Sequence, residues 1–185
     1  MRLPARTNLT LAGVLVTLCT LASVLAPTSV QSEAPVQASE RDSLKGIVGL
    51  EVLVEPLNLE IEQQGLTTYR LQQAVRQRLK KAGVAVLTER ERLATPAAAL
   101  LTVRVDALHD RIGRFFYSVE LRLAQRVRLK GSVAPELPAV TWMKPGGLAT
   151  VADDNVAPIE DQVLRKVDQF ITDYAAANPE RRMPR

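Results

Sequence analysis

Residues 101–123 decide the fold and read LTVRVDALHDRIGRFFYSVELRL. Apolar and polar residues alternate on both sides of the short segment RIG, which is the pattern of two β-strands joined by a tight turn. Gly113 suits the left-handed position that a three-residue hairpin loop requires. We therefore predict a β-hairpin with strands at about 98–109 and 115–129.

The charged residues of this segment predict the register of the hairpin. Pairing Arg104 with Glu120 also pairs Asp110 with Arg114, and each opposite-charge pair contributes about 0.5 kcal/mol. A slip by two residues would instead place Arg104 opposite Arg122. A slip by one residue would turn the aliphatic side of both strands to water. The first pairing is therefore the expected one.

The only histidine of the chain, His109, lies in the same hairpin. The predicted register places it opposite Phe115, at the rim of the apolar side, with Asp106 on the opposite side and Asp110 at the turn. A histidine that acts as a general base needs a second group that orients its ring. We expect no such group, and we interpret His109 as a structural residue.

The segments around the hairpin predict the other elements. Residues 46–56 alternate in hydrophobicity and predict a first strand. Thr67 as an N-cap and Gly83 just past the last turn bound a helix. The remaining predictions are a short strand at 84–89, a loop at 90–97, a strand at 138–144 followed by a Pro145-Gly146 turn, and a helix at about 158–177, with Asp153 and Asp154 helping to cap it.

The order of these elements, β-α-β-β-β-β-α, predicts an α+β fold. We expect a mostly antiparallel sheet of about five strands, with two helices packed on one of its faces. This domain covers residues 44–178. It is preceded by a flexible linker at 33–43 and followed by a disordered tail at 179–185.

The first 32 residues are typical of a secretory signal peptide. Arg2 and Arg6 precede an uncharged apolar run at 9–26, and small or polar residues follow it. We expect cleavage before Glu33 and a periplasmic or secreted protein. The alternatives are an uncleaved inner-membrane anchor and, less favoured because Leu18 precedes Cys19 and the apolar run continues after it, a lipoprotein signal.

Composition and motifs argue against several classes of function. Without the leader the chain has no cysteine, which excludes disulfides, thiol nucleophiles and thiolate metal sites. Two of the 24 basic residues lie in the leader and all 20 acidic residues follow it, which leaves a net charge of +2 and no nucleic-acid signature. No G-x-S-x-G or H-E-x-x-H motif occurs. We predict a protein that is not an enzyme, with no catalytic residue, cofactor or metal.

The sheet face away from the two helices is the expected interaction surface. It carries charged residues with a few apolar ones among them, and the residues assigned to the partner surface are Arg104, Phe116, Glu120, Arg122 and Arg126. The first hypothesis is a non-catalytic protein that binds another envelope protein there, with membrane contact only through an uncleaved leader. The alternatives are a periplasmic carrier of a small apolar ligand or lipid, and an enzyme of unrecognised type.

Several phrases of the chain resemble a widespread set of uncharacterised exported bacterial proteins. They are GLTTYRLQQAVRQRLKKAGVAVL at 65–87, QRVRL at 125–129, the Thr141-Trp142 pair, and VDQFITDYAAANP at 167–179. The resemblance covers most of residues 44–179. It implies secretion and the domain boundaries above, and it brings no activity, substrate or catalytic residue.

Overall fold

The computed structural model describes residues 40–180, with the exception of 132 and 134. The predicted signal peptide or anchor, Cys19, most of the linker and the end of the tail therefore lie outside the described residues. Of the predicted linker, residues 40–42 form a helical turn. Ser43 follows this turn, and its hydroxyl donates to the carbonyl of Thr141 at 2.9 Å.

The described residues then form six strands and four longer helices, with four strands in succession before the last helix. These elements are β1 (Gly49–Val54), α1 (Leu59–Gln63), α2 (Thr68–Lys81), β2 (Val86–Leu87), α3 (Glu89–Ala94), β3 (Ala98–His109), β4 (Arg114–Val127), β5 (Leu137–Lys144), β6 (Ala149–Ala152) and α4 (Ala157–Ala177).

The strands form one mixed sheet in the order β2-β1-β3-β4-β5, with β6 beside β4. β1 is parallel to β2 and β3, whereas β4 is antiparallel to β3, β5 and β6. The predicted α+β class and the largely antiparallel sheet are confirmed. The expected five strands are six, because β4 is long enough to pair with β6 along its first residues and with β5 along its last.

The hairpin of β3 and β4 has the predicted register. Arg104 pairs with Glu120 and His109 with Phe115. Gly113 takes a φ of +77°, as the loop requires. The N–H of Asp110 donates to the carbonyl of Arg114 at 2.8 Å, which closes the turn.

The hydrophobic core lies between one face of the sheet and the helices α2 and α4. Helix α2 begins after its N-cap Thr67, whose hydroxyl accepts from the N–H of Arg70, and Gly83 follows its end with a φ of +77°. Trp142 of β5 contacts Phe170 of α4 edge to face at 5.0 Å. The buried apolar and aromatic residues of the two helices are Leu71, Val75, Leu79, Ile159, Val163, Val167, Phe170, Tyr174 and Ala177.

The loop predicted at 90–97 is in part a helix, α3. This helix buries no side chain, and its sequence therefore lacks the helical spacing of apolar residues that would have predicted it. A capping box begins it, in which Thr88 and Glu91 bond to each other's backbone N–H. Since Thr88 already belongs to this cap, the strand predicted at 84–89 is limited to Val86–Leu87. Helix α1, which begins after its N-cap Asn58, was not predicted either.

The turn predicted at Pro145-Gly146 is wrong. A type II turn needs a positive φ at the glycine, and Gly146 is not among the glycines with one. Its backbone instead passes close to β4, where an added Cβ would lie 2.9 Å from the carbonyl oxygen of Val119. The glycine is needed for this close approach, and β6 follows three residues later.

Candidate interaction surface

The sheet face that α2 and α4 leave free is called the open face here. Because side chains alternate along a strand, the paired register assigns its members. They are Glu51 and Leu53 of β1; Leu87 of β2; Leu100, Thr102, Arg104, Asp106 and Leu108 of β3; Phe116, Ser118, Glu120, Arg122, Ala124 and Arg126 of β4; Pro138, Val140 and Met143 of β5; and Thr150 of β6. All five residues of the predicted partner surface belong to it.

The charged side chains at the centre of the open face are paired with one another. The guanidinium of Arg104 lies 2.9 Å from the carboxylate of Asp106 and 3.8 Å from that of Glu55. Arg122 forms an ion pair with Glu120. The hydrogen bond to Asp106 and the nearby carboxylates raise the pKa of Arg104 above its ordinary value. These residues therefore present paired charges of both signs rather than a patch of one sign.

One end of the open face is covered by α3 and the residue after it. Arg92 of α3 forms an ion pair with Glu51, and Arg126 donates to the carbonyl of Thr95 at 3.0 Å. The expectation of two helices on one face is therefore incomplete, since a third, short helix contacts the other face. Arg126 keeps its predicted place on the open face but lies at its covered end.

Apolar side chains form two rows across the uncovered part of the open face. Leu108 pairs with Phe116, and Leu108 is 70% exposed. The ring of Phe116 is half-buried beneath the guanidinium of Arg114, at 5.4 Å. In the second row Leu53 and Met143 flank Thr102 and Arg122 on neighbouring strands, and Leu53 is 42% exposed. Partly exposed apolar groups among paired charges are typical of protein-binding surfaces.

A shallow depression of about 440 Å³ adjoins the second row. It is lined by Glu40, Arg122, Val140, Thr141, Trp142 and Met143. Val140 is 54% exposed, whereas Trp142 is buried in the core. Val140 and Met143 were not among the residues predicted for this surface. Met143 faces this side because it pairs with Arg122, whereas Val140 does so because the register of β4 and β5 shifts after Leu123.

His109 has a carboxylate neighbour that the sequence analysis did not expect. Its Nε2 lies 3.2 Å from Oδ2 of Asp153, and its ring contacts that of Phe115 at 4.8 Å between centroids. The predicted absence of a second titratable group is therefore wrong. Asp153 reaches His109 because β6 pairs with the start of β4, which brings the N–H of Asp153 to the carbonyl of Gly113 at 3.0 Å.

The predicted capping of the last helix by Asp153 and Asp154 is also wrong. Helix α4 has Val156 at its N-cap, without a side-chain hydrogen bond. Asp153 contacts the imidazole instead. Both members of the His109–Asp153 pair are about one-third exposed, so the pair lies at the surface of the hairpin end rather than in a cleft. Among the described residues, no side chain other than Asp153 hydrogen-bonds to the ring.

A second group of charges lies where β5 meets α4. The carboxylate of Asp173 accepts from the indole N–H of Trp142 at 3.2 Å and lies 3.3 Å from the ammonium of Lys144. Nearby, Lys166 donates to the carbonyl of Pro145 at 2.7 Å. Burial and the neighbouring Lys144 lower the pKa of Lys166. These bonds fix α4 against the sheet edge.

Two further observations bear on function. Among residues 40–180, apart from the two positions left undescribed, no three His, Cys, Asp or Glu residues come close enough to hold a metal ion. In the same part of the chain, no helix has both the length and the apolar character to cross a bilayer.

No known protein family and no curated protein matches the chain. Among solved structures, it is similar to a minor lipoprotein from Acinetobacter baumannii, which was determined at 2.35 Å. The alignment covers 71% of this chain and 93% of the lipoprotein, with 11% sequence identity and a TM-score of 0.30.

Proposed function

We propose that this chain is an exported, non-catalytic protein of the bacterial cell envelope that binds another envelope protein through its open face. Export is inferred from the signal pattern of the first 32 residues. The binding role is supported above all by one observation, the apolar row of Leu108 and Phe116 on a face that α2 and α4 do not cover.

The charges of the open face favour a protein partner over a polyanion. The acids on or against this face, Glu51, Glu55, Asp106 and Glu120, are equal in number to the bases, Arg92, Arg104, Arg122 and Arg126. Binding of nucleic acid depends on uncompensated positive charge. A surface of balanced charges around apolar side chains instead matches the mixed composition of protein interfaces. We infer a partner with an apolar centre and charged groups of both signs.

The His109–Asp153 pair is the one observation that favours the alternative of an enzyme, since a carboxylate orients the histidine of many catalytic sites. The two groups also join the end of β3 to the segment before α4, and this structural role accounts for the pair. If the chain is an enzyme, His109→Ala must abolish a detected activity. In the proposed function the same variant keeps full binding to the partner.

The binding role is tested with a photo-activatable crosslinking residue placed at Leu108 of the exported full chain. A crosslinked product of defined mass is expected in cells, and it should be lost when Phe116→Asp and Arg122→Glu are added. The matched control carries the crosslinker at Tyr69 of α2, which is 73% exposed and lies off the open face. A product that forms equally from both positions, or that survives both substitutions, contradicts the proposal.

A further inference from the structure

We propose that the end of the β4–β5 hairpin binds a bilayer surface that carries anionic lipid headgroups. This end, called the basic hairpin end, consists of residues 126–130 and 136–138. The inference goes beyond the proposed function, because it concerns a second partner at the far end of the sheet. It shares only Arg126 and its strand partner Pro138 with the open face.

Cationic side chains predominate at the basic hairpin end. Arg126, Arg128 and Lys130 recur at every second residue, and Glu136 is the single acid in the two segments. Arg128 is 69% exposed, and its guanidinium lies 3.5 Å from the carboxylate of Glu136. The two segments therefore carry three bases and one acid, and the excess charge is positive.

Exposed aliphatic side chains accompany these cations. Leu129 is 59% exposed and Leu137 is 46% exposed, while Val127, which pairs with Leu137, is half-buried. The alternation of the sequence predicts a strand that extends to residue 129, but β4 ends at Val127. The apolar side of the hairpin thus continues past the part of the sheet that the helices cover.

This combination fits the surface of a bilayer. Aliphatic side chains enter the boundary between headgroups and acyl chains, while long basic side chains extend to the phosphates. Each base near an anionic membrane strengthens binding about fivefold. An apolar groove on a protein would accommodate the leucines but would not bind the three bases. A nucleic acid would bind the bases but would leave the leucines exposed.

The opposite end of the sheet provides an internal contrast. The β3–β4 hairpin also exposes an aliphatic residue at its turn, Ile112, which is 72% exposed. Its bases, Arg111 and Arg114, are accompanied by the acids Asp110 and Asp153. Exposure of aliphatic residues is thus common to both hairpin ends, whereas excess positive charge distinguishes the β4–β5 end.

The proposal is tested by local fluorescence of the full chain on vesicles. Cys19→Ser removes the only native cysteine, and Leu129→Cys then carries an environment-sensitive nitrobenzoxadiazole dye. Because the dye reports only its own surroundings, bilayer contact by the leader gives no signal at this position. We expect a blue shift, and quenching by spin-labelled lipid, on vesicles with phosphatidylglycerol but not on vesicles of phosphatidylcholine alone.

Two controls make the result specific. The same dye at Ile112→Cys should show neither change. Arg126→Gln, Arg128→Gln and Lys130→Gln together should weaken the response about 100-fold, whereas removal of three exposed bases elsewhere, by Lys80→Gln, Lys81→Gln and Arg90→Gln, should leave it unchanged. An equal response on neutral vesicles, no response at position 129, or equal loss in both triple variants overturns the proposal. None of these results affects the crosslinking test of the open face.

Discussion

Gly146 shows how a single residue positions one edge of the sheet. The chain between β5 and β6 passes β4 here, and an added Cβ would collide with the hydroxyl of Ser118 and lie 2.9 Å from the carbonyl of Val119. The serine side chain can rotate, but the strand backbone cannot move without loss of pairing. Any larger residue therefore separates the β5–β6 connection from β4.

We predict that Gly146→Ala lowers the free energy of unfolding by about 1–3 kcal/mol, as overpacking does. Gly147→Ala is the matched control, because a Cβ at that position meets no atom within 4 Å. It should change stability by less than about 0.5 kcal/mol. Urea denaturation of both variants measures the difference, and equal midpoints would contradict the account of this contact.

At the scale of elements, the end of α4 is joined to the chain before β1 by Asn178. Its side-chain oxygen accepts from the N–H of Gly46 at 2.9 Å, and its amide donates to the carbonyls of Leu44 and Tyr174 at 3.0 and 2.9 Å. Asn178 is buried, so removal of its amide leaves polar backbone groups without these bonds.

Asn178→Ala is therefore expected to lower the free energy of unfolding by about 2 kcal/mol. The exposed Asn155→Ala serves as control and should have little effect. Hydrogen exchange at Gly46 adds a local measure, because its N–H should exchange faster in the Asn178 variant only. An unchanged exchange rate at Gly46 would show that its hydrogen bond to Asn178 does not hold the chain before β1 in place.

The turn between β3 and β4 should make the stability of the hairpin depend on pH. Burial acts to raise the pKa of Asp110, but hydrogen bonds from the guanidinium of Arg114 and from the N–H groups of Ile112 and Arg114 lower it. A carboxyl whose pKa is lower in the folded state stabilises the fold above its unfolded-state pKa of about 3.9. This contribution is lost as the pH falls through the folded-state pKa.

Asp110→Asn should therefore lower Tm at pH 7, and its difference from the wild type should shrink as the pH falls below about 4. Asp154→Asn is the control, because the Asp154 carboxylate is exposed. Thermal unfolding of the three proteins across this range measures the effect. A difference between Asp110→Asn and the wild type that stays constant with pH would contradict the assigned hydrogen bonds.

How far the sequence predicts these elements depends on how much each one buries. The register of β3 and β4 and the helix α2 were predictable, because alternating or helical spacing marks their buried sides. α3 buries no side chain, and β6 has four residues, so neither carries a comparable pattern. The contact between His109 and Asp153 depends on β6, and it could not be predicted while that strand was missing.

At the scale of the whole molecule, the open face and the basic hairpin end differ in whether their charged groups are paired with groups of opposite charge. The open face pairs its charges and exposes two apolar rows, whereas the basic hairpin end carries excess positive charge beside two exposed leucines. The first surface suits a protein and the second an anionic membrane. Together they describe a protein that would bind its partner close to a bilayer.

We infer that a bound partner covers the open face in the cell. Hydroxyl-radical footprinting tests this inference most directly, by comparing the full chain in intact exporting cells with the purified protein. The account predicts that oxidation of Leu108, Phe116 and Met143 is several-fold slower in cells than in the purified protein. Tyr69, exposed on α2, should be oxidised at the same rate in both. Equal rates in cells and in solution at all four residues would contradict a bound partner on this face.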